Sequence, residues 1–322
     1  MERRSRGWRR WGVVLRNLAK LDLNLLHVFE AVYGEASITR AAETLNVTQP
    51  AVSNSLARLR DIFGDQLFVR ARQGIAPTPL AETLIGPVRE ALTALDRTLA
   101  RHERFDPLAS ERIVSFSMSD YAEAVVLAPF VGELNRLGSR LTVRNRFLAE
   151  RDLFPGLASG EIDFAVESHP LAEDGFGQRL LFSDEFVCVM RRGHPAATEP
   201  FTIERYMALS HLHISNRPRF ANLVDGALAR MKLKRQVAVH LEHCLAAAAI
   251  LSRSDLCLTI PTSFVRHFLP EDGFVALPRP FRMPPLQTWL YWHPASEGSP
   301  AHDWVRGVLD DCFPDACRDH SG

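Results

Sequence analysis

Short polar and basic side chains between residues 39 and 72 have the chemistry needed to contact DNA. Amide and hydroxyl groups hydrogen-bond to base edges, whereas arginine also pairs with phosphate. The Gln49 amide suits adenine N6 and N7, while Arg58, Arg70 and Arg72 are better placed for phosphate. The candidate DNA contacts are Thr39, Thr48, Gln49, Pro50, Ser53, Asn54, Arg58, Arg70 and Arg72.

Three short helices, predicted between residues 22 and 64, must position these side chains. The second helix follows Ser37, a good N-cap, and contains the small pair Ala41-Ala42. The third opens at Gln49-Pro50 and ends at Gly64. A strand over 67–69 and a wing follow. The first helix has apolar residues at helical spacing, namely Leu23, Leu26, Phe29, Val32 and Tyr33.

These elements in this order predict a winged helix-turn-helix. A close helix crossing needs small residues, which Ala41-Ala42 provide, and the next helix must present polar side chains to the major groove. The alternative is a small three-helix bundle whose polar face is incidental. Double-stranded DNA is the partner that the pattern favours.

Residues 1–20 form a basic N-terminal extension. They hold seven basic residues and one acid, a net charge of +6, although the whole chain is formally neutral. The apolar run at 13–15 is too short for a signal peptide, and no run is long enough for a membrane span. We expect residues 1–14 to be dispensable; the rival interpretation is a basic arm that touches the DNA backbone.

The sequence lacks the motifs of common catalytic sites. It has no G-x-S-x-G, no P-loop and no H-E-x-x-H, so an enzyme is not expected. Five cysteines in 322 residues argue against a disulfide framework and for a reducing, cytoplasmic location. No metal and no tightly bound cofactor are expected.

A long helix is predicted after the wing. Its apolar residues repeat in a 4-3-4 rhythm, which is typical of a coiled-coil seam, although Pro87 should kink or restart it. The alternative is a helix packed on its own domain. The seam residues are Leu84, Val88, Leu92, Leu95 and Leu99.

Strands and helices alternate from residue 112 to the end, which favours an α/β fold with two lobes. The strands are predicted at 113–118, 141–147, 163–166, 186–190, 211–215, 237–241, 256–260 and 286–292. The helices are predicted around 123–137, 153–159, 220–231, 244–251 and 303–313.

The residues of the first region resemble the LysR-type transcriptional regulator signature. The run from Ser37 to Ser53 reads SITRAAETLNVTQPAVS, and the match continues through 56–70 to Thr78. Arg60 stands where glutamate is frequent in the family, and Ala81 where glycine is frequent. Stretches at 16–26, 77–82, 175–176, 186–190, 193–195 and 291–293 resemble the branch of nodulation and aromatic-degradation regulators.

The resemblance implies a definite architecture. It comprises a winged helix-turn-helix over 21–78, a dimerisation helix over 79–107 and an effector domain over 112–322 that is similar to periplasmic binding proteins. Lobe I would hold 112–182 and 273–322, and lobe II 183–272, with crossings near Phe182–Asp184 and Asp272–Phe274. It also implies a homotetramer built as a dimer of dimers, and contact with RNA polymerase.

The effector of such a protein should bind between the lobes, where strands end and helices begin. An aromatic or carboxylate-bearing inducer is expected, with a neutral phenol as the alternative. Asp120 would repel an anion, which should therefore lie nearer Ser119 or Arg217. The alternatives are that Ser119 caps a helix, that His211 is a core histidine and that Arg217 lies in a solvated loop. The candidate effector contacts are Ser119, Asp120, His211, Ser215, Arg217, His243 and Pro261.

Two functions compete on this basis. The first is a DNA-binding transcriptional regulator controlled by a small molecule. The second is a solute-binding or catalytic α/β protein with an appended helical bundle. The dense motif at 37–70 and the lack of a catalytic motif favour the regulator.

Overall fold

The computed structural model describes residues 22–71, 74–100, 104–171, 173, 175–197, 200–215, 223–270 and 272–314. The basic extension at 1–20 lies outside these residues. The chain divides into an N-terminal unit, which comprises the residues up to Ala100 and the short segment Ala158–Gly160, and a C-terminal unit that comprises the rest. Among the described residues, every helix is too short or too polar to span a bilayer.

The N-terminal unit is a winged helix-turn-helix, as predicted. Its elements are α1 (Leu23–Glu35), α2 (Ile38–Thr44), α3 (Gln49–Phe63), β1 (Phe68–Arg70), β2 (Ile75–Pro77) and α4 (Pro79–Ala100). Side-chain oxygens of Asp22, Ser37 and Thr48 cap the first three helices, each accepting a hydrogen bond from a backbone N–H in the first turn. Gly64 ends α3 in the left-handed conformation. The antiparallel pair β1–β2 forms the wing.

The core of this unit explains why α2 carries two small residues, Ala41 and Ala42. Ala41 and Ala42 on α2 are buried, and so are Val52, Leu56 and Leu59 on α3. A larger side chain at the alanine positions would have to displace well-packed neighbours, because protein interiors contain few voids. The close approach of α2 and α3 therefore depends on residues without bulk.

The long helix α4 packs on its own unit along one face. Val88 and Leu92, predicted to form the intermolecular seam, are buried in the same core as α1 and α3. The prediction was wrong for these two residues, because the helical repeat places them with Ile85 on the inner face. The side chains of Leu95 and Leu99 remain 42% and 68% exposed. The helix is continuous through Pro87.

Lobe I of the C-terminal unit is built on a sheet with the order β4–β3–β5–β12–β6. β3, β4 and β5 are parallel, while β12 runs antiparallel to β5 and β6. The lobe I strands are β3 (Ile113–Ser117), β4 (Thr142–Asn145), β5 (Phe164–Glu167), β6 (Gly177–Asp184) and β12 (Leu286–Trp292). The helices are α5 (Asp120–Ala122), a π-helical stretch (Glu123–Leu127), α6 (Ala128–Arg136), α7 (Glu150–Ser159) and α12 (Pro300–Cys312), with a 3₁₀ turn at Pro294–Ser296.

Lobe II is built on a second sheet with the order β11–β7–β10–β8–β9. β8, β9 and β10 are parallel, while β7 runs antiparallel to both β10 and β11. The lobe II strands are β7 (Phe186–Arg191), β8 (Ser210–Ile214), β9 (Gln236–Leu241), β10 (Leu256–Pro261) and β11 (Phe274–Pro278). The helices are α8 (Ile203–Met207), α9 (Leu223–Arg230), α10 (Ala247–Leu251) and α11 (Thr262–Phe268).

The chain crosses between the lobes close to one predicted position and away from the other. The first crossing is at Glu185, directly after the predicted 182–184. The second lies between Pro278 and Leu286 rather than at 272–274, because β11 forms a ladder with β7 and so belongs to lobe II. The strands β6 and β11 and the short helices α8 and α11 were not predicted; both strands lie at sheet edges, where apolar alternation is weak.

The packing of α4 makes a testable distinction. Replacing the buried Leu92 by alanine should lower the free energy of unfolding of the N-terminal unit by about 2–5 kcal/mol, because it leaves a cavity. The control Thr83→Ala, at an exposed position of the same helix, should alter it by less than about 0.5 kcal/mol. Amide hydrogen exchange of α1 and α3 in the full chain measures both effects. Equal protection in the two variants would contradict the packing of Leu92 against this core.

Candidate functional site

The outer face of α3 presents a row of polar side chains. Gln49, Ser53, Asn54 and Arg58 are exposed on the side opposite the buried Val52, Leu56 and Leu59. We call these four residues the reading face. Their amides, hydroxyl and guanidinium are the groups that contact base edges and phosphates.

Other predicted DNA contacts surround the reading face. Thr48 is exposed and caps α3 through its side-chain oxygen, while Pro50 occupies the first turn. Thr39 on α2 and Arg70 on β1 are exposed as well. Arg72 lies outside the described residues.

Arg58 is held near the N-cap of α1. Its guanidinium lies 3.7 Å from the Asp22 carboxylate, and both side chains are well exposed. An exposed pair of this kind contributes only about 0–1 kcal/mol, so a phosphate can readily compete for the arginine.

The Asp65 carboxylate stabilises the base of the wing. The sequence analysis did not predict this role. Asp65 Oδ1 accepts hydrogen bonds from the Leu67 backbone N–H at 2.6 Å and from the Thr78 hydroxyl at 2.7 Å. Thr78 in turn donates its backbone N–H to the Leu67 carbonyl at 2.9 Å. These bonds join the end of α3 to the start of α4 and so fix the base of the wing.

A cavity of about 250 Å³ lies between the lobes of the C-terminal unit. It opens at the carboxyl ends of the parallel strands of both sheets, where ligands of α/β proteins usually bind. Lobe I contributes Ser119, Asp120, Tyr121, Glu167, Ser168, His169 and Leu286 to its walls. Lobe II contributes Phe186, His213, Ile214, Ser215, Leu223, Glu242, Cys244, Thr259, Ile260, Pro261 and Phe264. We call this cavity the cleft.

Four predicted effector contacts line the cleft, namely Ser119, Asp120, Ser215 and Pro261. Ser119 is also the N-cap of α5, because its hydroxyl oxygen accepts from the Ala122 N–H. His243 is 76% exposed beside the cleft, with Nδ1 3.8 Å from Asp120 Oδ2. Arg217 lies outside the described residues.

His211 is a core residue and not a cleft residue. It is fully buried, its Nε2 lies 3.1 Å from the Tyr206 carbonyl oxygen, and its ring packs on the Tyr206 ring. Burial, aided by the charge of Arg235, lowers the pKa of His211 to about 4. The alternation of side chains along β8 turns His211 away from the cleft and His213 towards it.

Sequence reasoning missed several cleft residues. Glu167 is 5% exposed and ends β5, and His169 follows with Nδ1 3.8 Å from Glu167 Oε2. Both residues lie at or just after the carboxyl end of a parallel strand, as Ser119 does after β3. The reasoning that predicted Ser119 as a cleft residue therefore applies to Glu167 and His169 as well. Burial and the nearby Arg235 lower the pKa of His213, which keeps its imidazole neutral near pH 7.

Polar contacts link the two lobes beside the cleft. Asp184 Oδ2 accepts from the Tyr121 hydroxyl at 3.2 Å and from the Ser263 N–H at 2.9 Å. Asp120 Oδ2 accepts from the Cys244 N–H at 2.6 Å. Burial and the Asp184 charge raise the pKa of Tyr121 well above its usual value, so the hydroxyl keeps its proton.

Both units match families of known proteins. Residues 109–313 match the LysR substrate binding domain, and residues 23–82 match the bacterial regulatory helix-turn-helix protein of the lysR family. The chain belongs to the LysR family of bacterial transcriptional regulators. It is therefore a DNA-binding regulator with a domain for small-molecule effectors, and it is not an enzyme.

Relatives within the LysR family align over nearly the whole chain. The HTH-type transcriptional activator NahR of Pseudomonas putida is 35% identical over 298 residues, 92% of this chain and 99% of NahR. Nodulation protein D 2 of Rhizobium tropici is 32% identical over 296 residues, 90% of this chain and 92% of the relative. The predicted resemblance to the LysR family, including nodulation regulators, is confirmed.

A solved structure supports the same architecture. The crystal structure of the probable transcriptional regulator PA0477 from Pseudomonas aeruginosa matches with a TM-score of 0.71 at 35% identity. The match covers 92% of this chain and 98% of PA0477. The fold of this chain is therefore similar to that of a solved transcriptional regulator over most of its length.

The buried His211 predicts a pH dependence of stability. Its pKa is about 4 in the folded chain and about 6.5 when unfolded, so the unfolded state binds more protons in this interval. The stability of the C-terminal unit should therefore fall as the pH is lowered from 6.5 towards 4, by up to about 1.4 kcal/mol per pH unit from this residue.

Urea unfolding of His211→Gln at several pH values tests this. The free energy of unfolding of this variant should depend less steeply on pH between 4 and 6.5. The control His267→Gln, at an exposed histidine, should keep the pH dependence of the wild type. An unchanged slope in His211→Gln would contradict the buried, neutral state of His211.

Proposed function

We propose that the reading face of α3 enters the major groove of an operator and that the wing contacts its backbone. The observation that carries this proposal is the polar row Gln49, Ser53, Asn54 and Arg58, exposed on a capped helix whose other face is buried. Gln49 would read an adenine through N6 and N7, and Arg58 and Arg70 would hold phosphates. The proposal also includes Thr39, Thr48, Pro50 and Arg72 as neighbouring contacts.

We propose further that the cleft binds a small aromatic effector that controls this DNA binding. Phe186 and Phe264 provide apolar walls, and Ser119, Ser215 and Thr259 provide hydroxyl groups. An apolar cavity with a few fixed polar groups is the usual design of a small-molecule site. The effector would stabilise one arrangement of the lobes and so shift the population of DNA-binding states. The protein would act in the cytoplasm.

The protein would bind DNA as a dimer of dimers. The exposed Leu95 and Leu99 on α4 supply an apolar surface for one pairing, and the C-terminal units would supply the other. Such an assembly would place two pairs of reading faces along the operator and would bring the protein near RNA polymerase.

Substitution of Gln49 tests the reading role. In gel shifts with the DNA directly upstream of its own gene, Gln49→Ala should lose about 1–3 kcal/mol of discrimination at a single base pair. Thr98→Ala, a matched surface change on α4, should bind as the wild type does. Equal weakening on every DNA sequence would exclude base readout by Gln49.

Substitution of Leu95 tests the pairing. Leu95→Asp places a charge on the proposed apolar interface and should dissociate the assembly, because burying an unpaired charge is costly. Thr83→Asp adds the same charge at an exposed site on another face of α4, and it separates a general charge effect from the loss of Leu95. Sedimentation velocity at micromolar concentration measures both. A wild-type monomer under these conditions would refute the dimer of dimers.

A further inference from the structure

The turn that joins α3 to the wing has an unusual backbone conformation at Leu67. Its φ is 60°, in the left-handed region that residues other than glycine rarely adopt. A residue keeps such a conformation only where the surrounding contacts enforce it. The Leu67 side chain is fully buried in the core of the N-terminal unit, so the turn cannot relax without withdrawing this side chain from the core.

Three hydrogen bonds hold this turn. Asp65 Oδ1 accepts from the Leu67 N–H at 2.6 Å, and the Leu67 carbonyl accepts from the Thr78 N–H at 2.9 Å. Arg60 Nε donates to the Gln66 carbonyl at 2.9 Å. Glutamate, which is frequent at position 60 in the family, has no donor when ionised and could not make this bond. The start of the wing is therefore fixed by its own side chains and by α3.

The Asp65 carboxylate also links the wing to α4. The same Oδ1 accepts from the Thr78 hydroxyl at 2.7 Å. The Thr78 hydroxyl oxygen in turn accepts from the Ala81 N–H, in the first turn of α4, at 3.3 Å. One carboxylate oxygen thus connects the segment after α3, the residue before β1 and the start of α4.

The far end of the wing is attached separately, to the turn between α1 and α2. The Ile75 N–H donates to the Ala36 carbonyl at 3.3 Å. Gly74 has a φ of 89°, and a Cβ at this position would lie 2.6 Å from the same carbonyl oxygen. Arg70 is exposed at the end of β1 and is paired with Ile75 in the ladder. The two attachments therefore set the position of the Arg70 backbone relative to the reading face.

We propose that Asp65 is a positioning residue for DNA binding that acts through Arg70. Its carboxylate holds β1 at the place from which the Arg70 guanidinium reaches a phosphate while the reading face lies in the major groove. An arginine on a fixed strand loses less conformational freedom on binding than one on a loose segment, so its contact contributes more affinity. This inference rests on the proposed DNA contacts and adds the group that sets their spacing.

The charge of Asp65 makes the expected result distinctive. Removing a negative charge near DNA should by itself strengthen binding, because the carboxylate repels phosphates. The positioning role predicts the opposite result for Asp65→Ala. Each subunit that contacts DNA should lose about one phosphate contact, which lowers the slope of log affinity against log salt by about one unit and weakens binding about tenfold at 0.1 M salt.

Fluorescence anisotropy with the full-length protein and the DNA directly upstream of its own gene measures both quantities. Asp65→Asn keeps an oxygen that accepts both hydrogen bonds, and it should bind at least as tightly as the wild type. Asp61→Ala removes the same charge from an exposed site on α3 and should also bind at least as tightly. Gly74→Ala displaces the other end of the wing and should reproduce the loss seen in Asp65→Ala.

A double-mutant cycle tests whether Asp65 acts through Arg70. Arg70→Ala should lower the affinity and the salt slope as Asp65→Ala does. The combined variant should bind no more weakly than Arg70→Ala alone, because the second change then has no contact left to remove. Discrimination at the base pair read by Gln49 should be unchanged in all these variants, which also shows that the helix-turn-helix remains folded.

Other outcomes overturn the proposal in distinguishable ways. Additive losses in the combined variant would exclude action through Arg70, and tighter binding by Asp65→Ala would reduce the carboxylate to a repulsive charge. Loss of base discrimination in Asp65→Ala would mean that the carboxylate supports the whole helix-turn-helix, and wild-type binding by Gly74→Ala would mean that the wing needs no fixed position. An unchanged salt slope in Arg70→Ala would refute the proposed phosphate contact itself, while the base readout by Gln49 would still stand.

Discussion

The hydrogen bonds to Asp184 are the contacts on which the geometry of the cleft depends. Asp184 ends the last lobe I strand before the first crossing, and it holds Tyr121 of lobe I and the backbone of Ser263 in lobe II with one oxygen. Hydrogen bonds to a charged group contribute about 1.5–3 kcal/mol each, and a buried carboxylate without them would be unstable. The two sheets therefore meet with a defined separation at this point, and the carboxyl ends of their parallel strands face each other.

A second hydrogen bond crosses the cleft and joins two of the residues that line it. Asp120 reaches from lobe I to the Cys244 backbone in lobe II. A ligand that alters this contact would alter how the lobes meet, which is the kind of change that a regulator must pass on to its assembly. The contact joins the two lobes through one carboxylate at the wall of the cleft.

The N-terminal unit shows a different constraint, because α4 shares its core with α1 and α3. Val88 and Leu92 belong to the same buried cluster as Phe29 and Leu56. Packed cores do not deform continuously, so α4 and α3 behave as one body. Any pairing through the exposed side of α4 would therefore fix the direction in which the reading face points.

The sequence by itself determined the elements that depend on local chemistry. The cap Ser37, the small pair Ala41-Ala42 and the polar face of α3 follow from residue type and helical spacing, and so the helix-turn-helix was predictable. Most lobe strands were predictable from their apolar patterns for the same reason. Ser119 was predictable as a cleft residue because it follows a parallel strand.

Only the tertiary structure decided which side chains meet. His211 and His213 share a strand, and the sheet's position in the lobe buries the first and turns the second to the cleft. The face of α4 that is buried depends on neighbours distant in sequence, so Val88 and Leu92 could not be assigned from spacing alone. The meeting of Asp120, Glu167 and Glu242 in the cleft arises in the same way, because each follows or ends a different strand of the two lobes. Long-range packing, which no local pattern encodes, determines each of these outcomes.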